Sequence, residues 1–234
     1  MAKEKKQSQT VSAFELFSKS QEIVMRNLSS FVILNLLPAA TLLGSMIAKS
    51  HSRDRTTSFS NVGIAGVPTY AIASLAGVGI ALFVVVIIVS ALIQAMLYSL
   101  KLQGAQGKTP DMSNLWEVGK KYWLRLFGLS IVVGLTIVVG LILFIIPGLI
   151  MIRRYFLAPY IMVEHNTGIM ESMRRSAALT KPYPGAIWGI IGVSFLLSLP
   201  SIIPFLGAFI SLALSVLYSA APALRYEELK KLSA

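Results

Sequence analysis

A chain of 234 residues that is 55% hydrophobic and only 13% charged, with mean hydropathy +0.72, lies far from soluble domains. With no cysteine it can hold neither a disulfide framework nor a thiolate metal site. Its net charge of +11 reads as loops lying against anionic lipid rather than as a nucleic-acid surface, because the apolar runs are long enough to span a bilayer.

Lipid offers no partner to a free backbone group, so the spans are expected to be helices; the alternating pattern of a membrane barrel is absent. The expected fold is an all-α polytopic bundle of about six transmembrane helices with three amphipathic interfacial helices. Residues 1–11 form a basic, disordered N-terminus, 12–224 a single membrane domain, and 225–234 (RYEELKKLSA) a charged cytoplasmic tail.

In chain order, 12–27 reads as an amphipathic helix with Phe14, Phe17, Val24, Met25 and Leu28 near one face. Its acidic, amphipathic character does not fit the lead of a cleavable signal peptide. The first span is 28–48, with Pro38 inside it, followed by the long polar connection 49–70. The second span, 71–100, exceeds the bilayer thickness and so tilts or projects. A polar turn leads to a second amphipathic helix over 111–126, with Met112, Leu115, Trp116, Tyr122, Trp123 and Leu126 on its apolar stripe. The third span, 127–146, stops at a helix break, Pro147-Gly148, the outer turn of a hairpin. The short fourth span, 149–163, carries Arg153 and Arg154. A third amphipathic helix over 169–180 ends at Pro182 and Pro184, and the last two spans are 186–203 and 206–224.

Charge placement tests this layout. With both termini cytoplasmic, only Lys49, Arg53 and Arg55 of the 21 Lys and Arg residues lie outside, and Arg153 and Arg154 fall within the fourth span. If 149–163 did not cross, the basic segment Arg174–Lys181 would move outside.

The three amphipathic segments share a grammar: Ser12-x-x-Glu15 with Lys19, Asn114-x-x-Glu117 with Lys121, and Gly168-x-x-Glu171 with Arg175. Each offers a permissible N-cap, a carboxylate in the first turn and a cation four residues on. Each precedes an apolar run bearing a proline (Pro38, Pro147, Pro200). The pattern suggests a threefold repeat with units 12–100, 111–164 and 168–224; chance recurrence of ordinary helix caps is the alternative.

The stretch 146–181 carries a further pattern: Pro147-Gly148, an arginine soon after, Ala158-Pro159-Tyr160, Glu164, then Glu171-Ser172-Met173-Arg174-Arg175-Ser176 and Leu179-Thr180-Lys181. It resembles a family of multi-span prokaryotic membrane proteins that includes the YciC-like inner-membrane proteins and the membrane domain of glycerophosphoryl diester phosphodiesterases. The chain departs from the family pattern at Ser172-Met173, Ala177 and Pro182. The resemblance implies a multi-span, envelope-associated protein; no stretch of the sequence has room for the metal-binding hydrolase barrel of the phosphodiesterases, so that activity is not expected.

Arginine inside a span is expensive and faces the bundle interior, a polar cavity or the headgroups. Arg153 and Arg154 are therefore the candidate site for an anionic lipid or ligand, snorkelling to the interface being the structural alternative. Glu164 is expected to cap the following turn or to pair with Arg174 or Arg175. The two histidines, His51 and His165, fall on opposite sides of the membrane and cannot share a metal within one chain. No nucleophile triad, phosphate loop or paired carboxylates for acid–base work are present, so no catalytic residue and no cofactor is expected. The expected partners are membrane lipids, anionic ones in particular, and not nucleic acid. The expected function is a non-enzymatic envelope protein with a lipid-interacting or homeostatic role, a small transporter or channel being the alternative.

Overall fold

The computed structural model describes residues 10–35, 69–203 and 206–233. Among them every regular element is helical: α1 (Glu15–Arg26), α2 (Thr69–Ala105), α3 (Met112–Leu143), α4 (Ile145–Tyr155), α5 (Ala158–His165), α6 (Ile169–Thr180), α7 (Pro184–Ser198), a 3-10 turn (Leu199–Ile202), α8 (Leu206–Leu217) and α9 (Ala221–Ser233). Residues 28–35 are also helical; the rest of the expected first span and nearly all of the 49–70 connection lie outside the described residues. Among the described residues five stretches are long and apolar enough to cross a membrane: Val84–Ala105, Ser113–Leu143, Ile145–His165, Pro184–Ile202 and Phe209–Ser233. The chain is a polytopic helical membrane protein.

Several expected boundaries move. The second amphipathic segment and the third span form one unbroken helix, α3, because a change of hydrophobic pattern at residue 126 need not break helical backbone. Leu115, Tyr122, Leu126 and Leu129 carry one buried face along it. The break lies at Phe144, which is extended (φ −160°, ψ 144°), and not at Pro147-Gly148. Pro147 sits in the first turn of α4, where its missing N–H costs no hydrogen bond. Gly148 serves packing instead: a Cβ there would meet Leu141 Cγ at 2.5 Å and its backbone N at 2.8 Å, so only glycine lets α4 fold back this closely on α3. The fourth span is two helices, α4 and α5, joined at Phe156–Leu157. Asn166, in the left-handed region (φ 52°), ends α5, a conformation asparagine tolerates better than most residues.

The tail is not a free tail. Residues 221–233 form α9, with Arg225, Tyr226 and Leu229 buried. It packs with α1, whose protein-facing side is Leu16, Ser20, Ile23 and Val24, while Phe14 and Met25 are exposed. The expected apolar face of this helix is thereby rotated, since α8 and α9 supply the partner surface that lipid was expected to provide. Ser20 is the joinery. Its hydroxyl donates to the Leu217 carbonyl (2.6 Å) and accepts from the Ala220 N–H (3.1 Å), satisfying backbone groups freed where α8 ends and α9 begins.

The core is concentrated at one end of the bundle. Leu102, Leu157, Tyr160, Ile161, Tyr183 and Ile187 pack with Ala223, Tyr226 and Leu229, and a neighbouring cluster joins Ile23, Val24, Phe31 and Leu34 to Met96, Leu97 and Leu100. The opposite end, around the α3–α4 and α7–α8 turns, exposes Ile142, Phe144, Ile145, Ile146, Ile202 and Leu206. No Asp, Glu, Lys or Arg occurs in 126–152 or 182–224. Such a continuous apolar shell is unsuited to water and marks the lipid-facing half.

Candidate functional site

The described charges gather at the packed end, and Arg153 and Arg154 lie closest to the apolar shell. They stand nine and ten residues past Phe144, about 14–15 Å along the helix at 1.5 Å per residue, roughly half of a hydrocarbon core. Leu149 and Ile150, a turn before them, are exposed. On their other side is α6. The Ser176 hydroxyl donates to the Arg154 carbonyl at 2.7 Å, and Thr180 reaches the same oxygen at 3.4 Å. Ser172, Ser176 and Thr180 form a fully buried hydroxyl stripe, one per turn, that seats α6 on this part of α4.

The outward side of α6 is charged. Glu171 accepts from Arg175 Nε and Arg174 Nη2, both at 2.7 Å. The Arg175 hydrogen bond, with the two guanidinium charges, outweighs desolvation and holds the Glu171 carboxyl below its usual range. The level at which the bundle first tolerates exposed charge therefore runs through α6 and the adjacent Arg153–Arg154 turn.

Arg153 is half-buried and its Nε is buried without a hydrogen-bond partner; Arg154 is exposed. Among the described residues neither guanidinium pairs with a carboxylate, although five other arginine or lysine side chains do so within their own helix. Consecutive residues on a helix diverge, so these are two separate guanidiniums at one level, and each can bind a phosphate or carboxylate group with forked hydrogen bonds. Among the described residues, no three His, Asp or Glu side chains converge so as to hold a metal ion.

The other expected positions divide. Ser12 Oγ accepts from the Glu15 N–H (3.1 Å), and Glu15 pairs with Lys19 (3.2 Å). In the second segment Asn114 is not the cap: Asp111 is, accepting from the Ser113 N–H at 3.3 Å. Glu117 pairs with Lys120 (2.6 Å) and not with Lys121, whose ammonium lies 5.2 Å from the Tyr122 ring centroid. Gly168 is the N-cap of α6 and makes no side-chain cap.

Glu164 does not pair with Arg174 or Arg175. It accepts from Lys230 and from the Tyr226 hydroxyl, both on α9, and from Gln106 Nε2 at 3.1 Å. Gln106 also donates to Glu227 (2.9 Å), and His165 Nε2 lies 3.2 Å from the Tyr226 hydroxyl. This network ties the ends of α2, α5 and α9 together. A second latch joins the chain's two ends: Arg225 donates to Glu228 (2.5 Å) and to the Val11 carbonyl (2.8 Å), while Glu228 accepts from the Val11 N–H (2.6 Å). Both were hidden in a segment of charged composition. The visible signal was its helical spacing of Tyr226, Leu229 and Leu232.

No protein-family model matches the chain, and no curated protein or solved structure is significantly similar to it.

Proposed function

We propose that this is a non-enzymatic, multi-pass protein of a prokaryotic cytoplasmic membrane that binds anionic lipid headgroups through Arg153 and Arg154 and serves lipid or envelope homeostasis. The observation that carries the reading is two consecutive arginines without a carboxylate partner among the described residues, set where the bare apolar shell meets the first charged helix. A phosphate at either arginine would gain a positive charge and donors that the described residues leave uncommitted. The positive-inside rule supports cytoplasmic termini, since the basic residues of α6 and α9 and those near the start of α3 then lie on the anionic leaflet. The resemblance of 146–181 to the YciC-like family points the same way.

Native mass spectrometry of the protein released from mixed-lipid micelles tests it. The full chain is expected to retain phosphatidylglycerol in preference to phosphatidylcholine, and the Arg153→Ala/Arg154→Ala double variant to lose that preference. Equal retention by both would leave the arginines as snorkelling residues, and solute flux in proteoliposomes would favour a transporter instead.

A further inference from the structure

Ser90, Gln94 and Tyr98 stand at i, i+4 and i+8 on α2, so all three project from one face, one per turn. Together with Ser130 of α3 they line a cleft of about 240 Å³ between the two helices; its remaining wall is Ile87, Ala91, Leu126 and Phe127. The Ser130 hydroxyl is committed to the Leu126 carbonyl at 2.9 Å. Among the described residues the Ser90 hydroxyl, the exposed Gln94 amide and the Tyr98 hydroxyl find no hydrogen-bond partner; Tyr98 is held by its ring, edge-on to Tyr160 at 5.2 Å. All three lie within the spanning stretch Val84–Ala105, where water is scarce and an unsatisfied polar group is costly.

The surroundings say what satisfies them. Toward the apolar end the surface turns bare and hydrocarbon-like, with Val84, Val85 and Val86 on α2 and Ile131 and Leu135 on α3 exposed. Among the described residues no charged side chain lines the cleft. The helical stretch 28–35 does not cover it, because Phe31 and Leu34 pack with Met96, Leu97 and Leu100, which lie on another face of α2. A short ladder of neutral donors and acceptors above an apolar track matches the ester-linked glycerol of a lipid above its acyl chains.

We propose that the α2–α3 cleft binds the glycerol–ester region of a membrane lipid, with Ser90, Gln94 and Tyr98 on its oxygens and an acyl chain running on past Ile87 and the exposed Val84 toward the apolar end. This site rests on the membrane-spanning fold and not on the arginine pair. Because its lining is uncharged, it selects for the ester backbone and not for headgroup charge.

The test uses the full chain in nanodiscs carrying a diacyl phospholipid with a diazirine near the ester end of one chain, photolysed and mapped by peptide mass spectrometry. Labelling is expected to concentrate on residues 84–98 and 126–135, to the same extent for phosphatidylcholine and phosphatidylglycerol. In Gln94→Leu it should fall by about five-fold, the loss expected of one hydrogen bond, with an unchanged melting temperature because leucine suits a lipid-facing position. Arg153→Ala/Arg154→Ala should leave this labelling intact, which separates failure of the headgroup site from failure of the cleft. Even labelling over the whole apolar surface, or no effect of Gln94→Leu, would overturn the proposal. So would conversion of a dimer to a monomer by Gln94→Leu, which would assign the cleft to a second copy, or cross-linking of residue 94 to 36–68, which would assign it to the chain itself.

Discussion

Replacing Arg225 by alanine should unfasten the two ends of the chain. The side chain is 1% exposed, and its partner Glu228 is 17% exposed. Together they take both the N–H and the carbonyl of Val11, so the contact reads backbone and fixes where α1 enters the bundle. Removing one member of a buried pair costs about 3–5 kcal/mol. Glu228 retains its Val11 N–H bond and some solvent, which places the loss near the lower end, about 3 kcal/mol. For a chain of this size that corresponds to roughly 6–12 °C in melting temperature. The assay is thermal unfolding in one detergent, paired with the rate of proteolysis in the arm before α1. The double variant Arg225→Met/Glu228→Leu, which replaces the pair by apolar volume, should regain most of the melting temperature yet leave the arm cleavable, because the Val11 bonds stay lost. A single variant that melts within about 2 °C of the parent and keeps its arm protected would refute the latch.

Gly148→Ala should destabilise by about 1–3 kcal/mol, because the new methyl meets the Leu141 backbone and must push α4 off α3; a melting curve no lower than the parent's would contradict this. Glu171 is expected to contribute a pH-dependent stabilisation. Its folded carboxyl lies below the ordinary value of 4.5, so the contribution is complete above that pH and is lost as pH falls through the folded value. The melting-temperature gap between the parent and Glu171→Gln should thus be constant near neutrality and close below pH 4.5. Glu164→Leu removes the acceptor shared by Lys230, the Tyr226 hydroxyl and Gln106, leaving Lys230 to solvent and Tyr226 to His165, for a loss of roughly 1 kcal/mol, seen as earlier hydrogen exchange in α9; unchanged exchange there would show that the network is dispensable.

Apolar runs and charge clusters made the helical membrane fold legible, because lipid narrows the choice of structure to one. Joints were less legible. Pro147-Gly148 carries the ordinary signature of a break, yet proline is at home in a helix's first turn and the extended residue, Phe144, has no special composition. The fate of residues 225–234 depended on partners far away in sequence: Val11, Glu164 and the apolar face of α1 turn a charged segment into a packed helix. For the same reason Arg153 and Arg154 stood out as candidates in the sequence, while the hydroxyl stripe that seats α6 beside them did not. Ser172, Ser176 and Thr180 look like an ordinary polar face until the Arg154 carbonyl is set against them.

Recognition of anionic lipid by Arg153 and Arg154 is open to direct measurement. The most direct measurement is lipid exchange between nanodiscs of fixed composition and the full chain, comparing the parent with Arg153→Lys/Arg154→Lys and Arg153→Gln/Arg154→Gln. A phosphate site predicts a preference for phosphatidylglycerol that drops by roughly ten-fold in the glutamine variant, the loss of about one charge-assisted hydrogen bond, and is kept in part by lysine. An identical preference in all three proteins would contradict it.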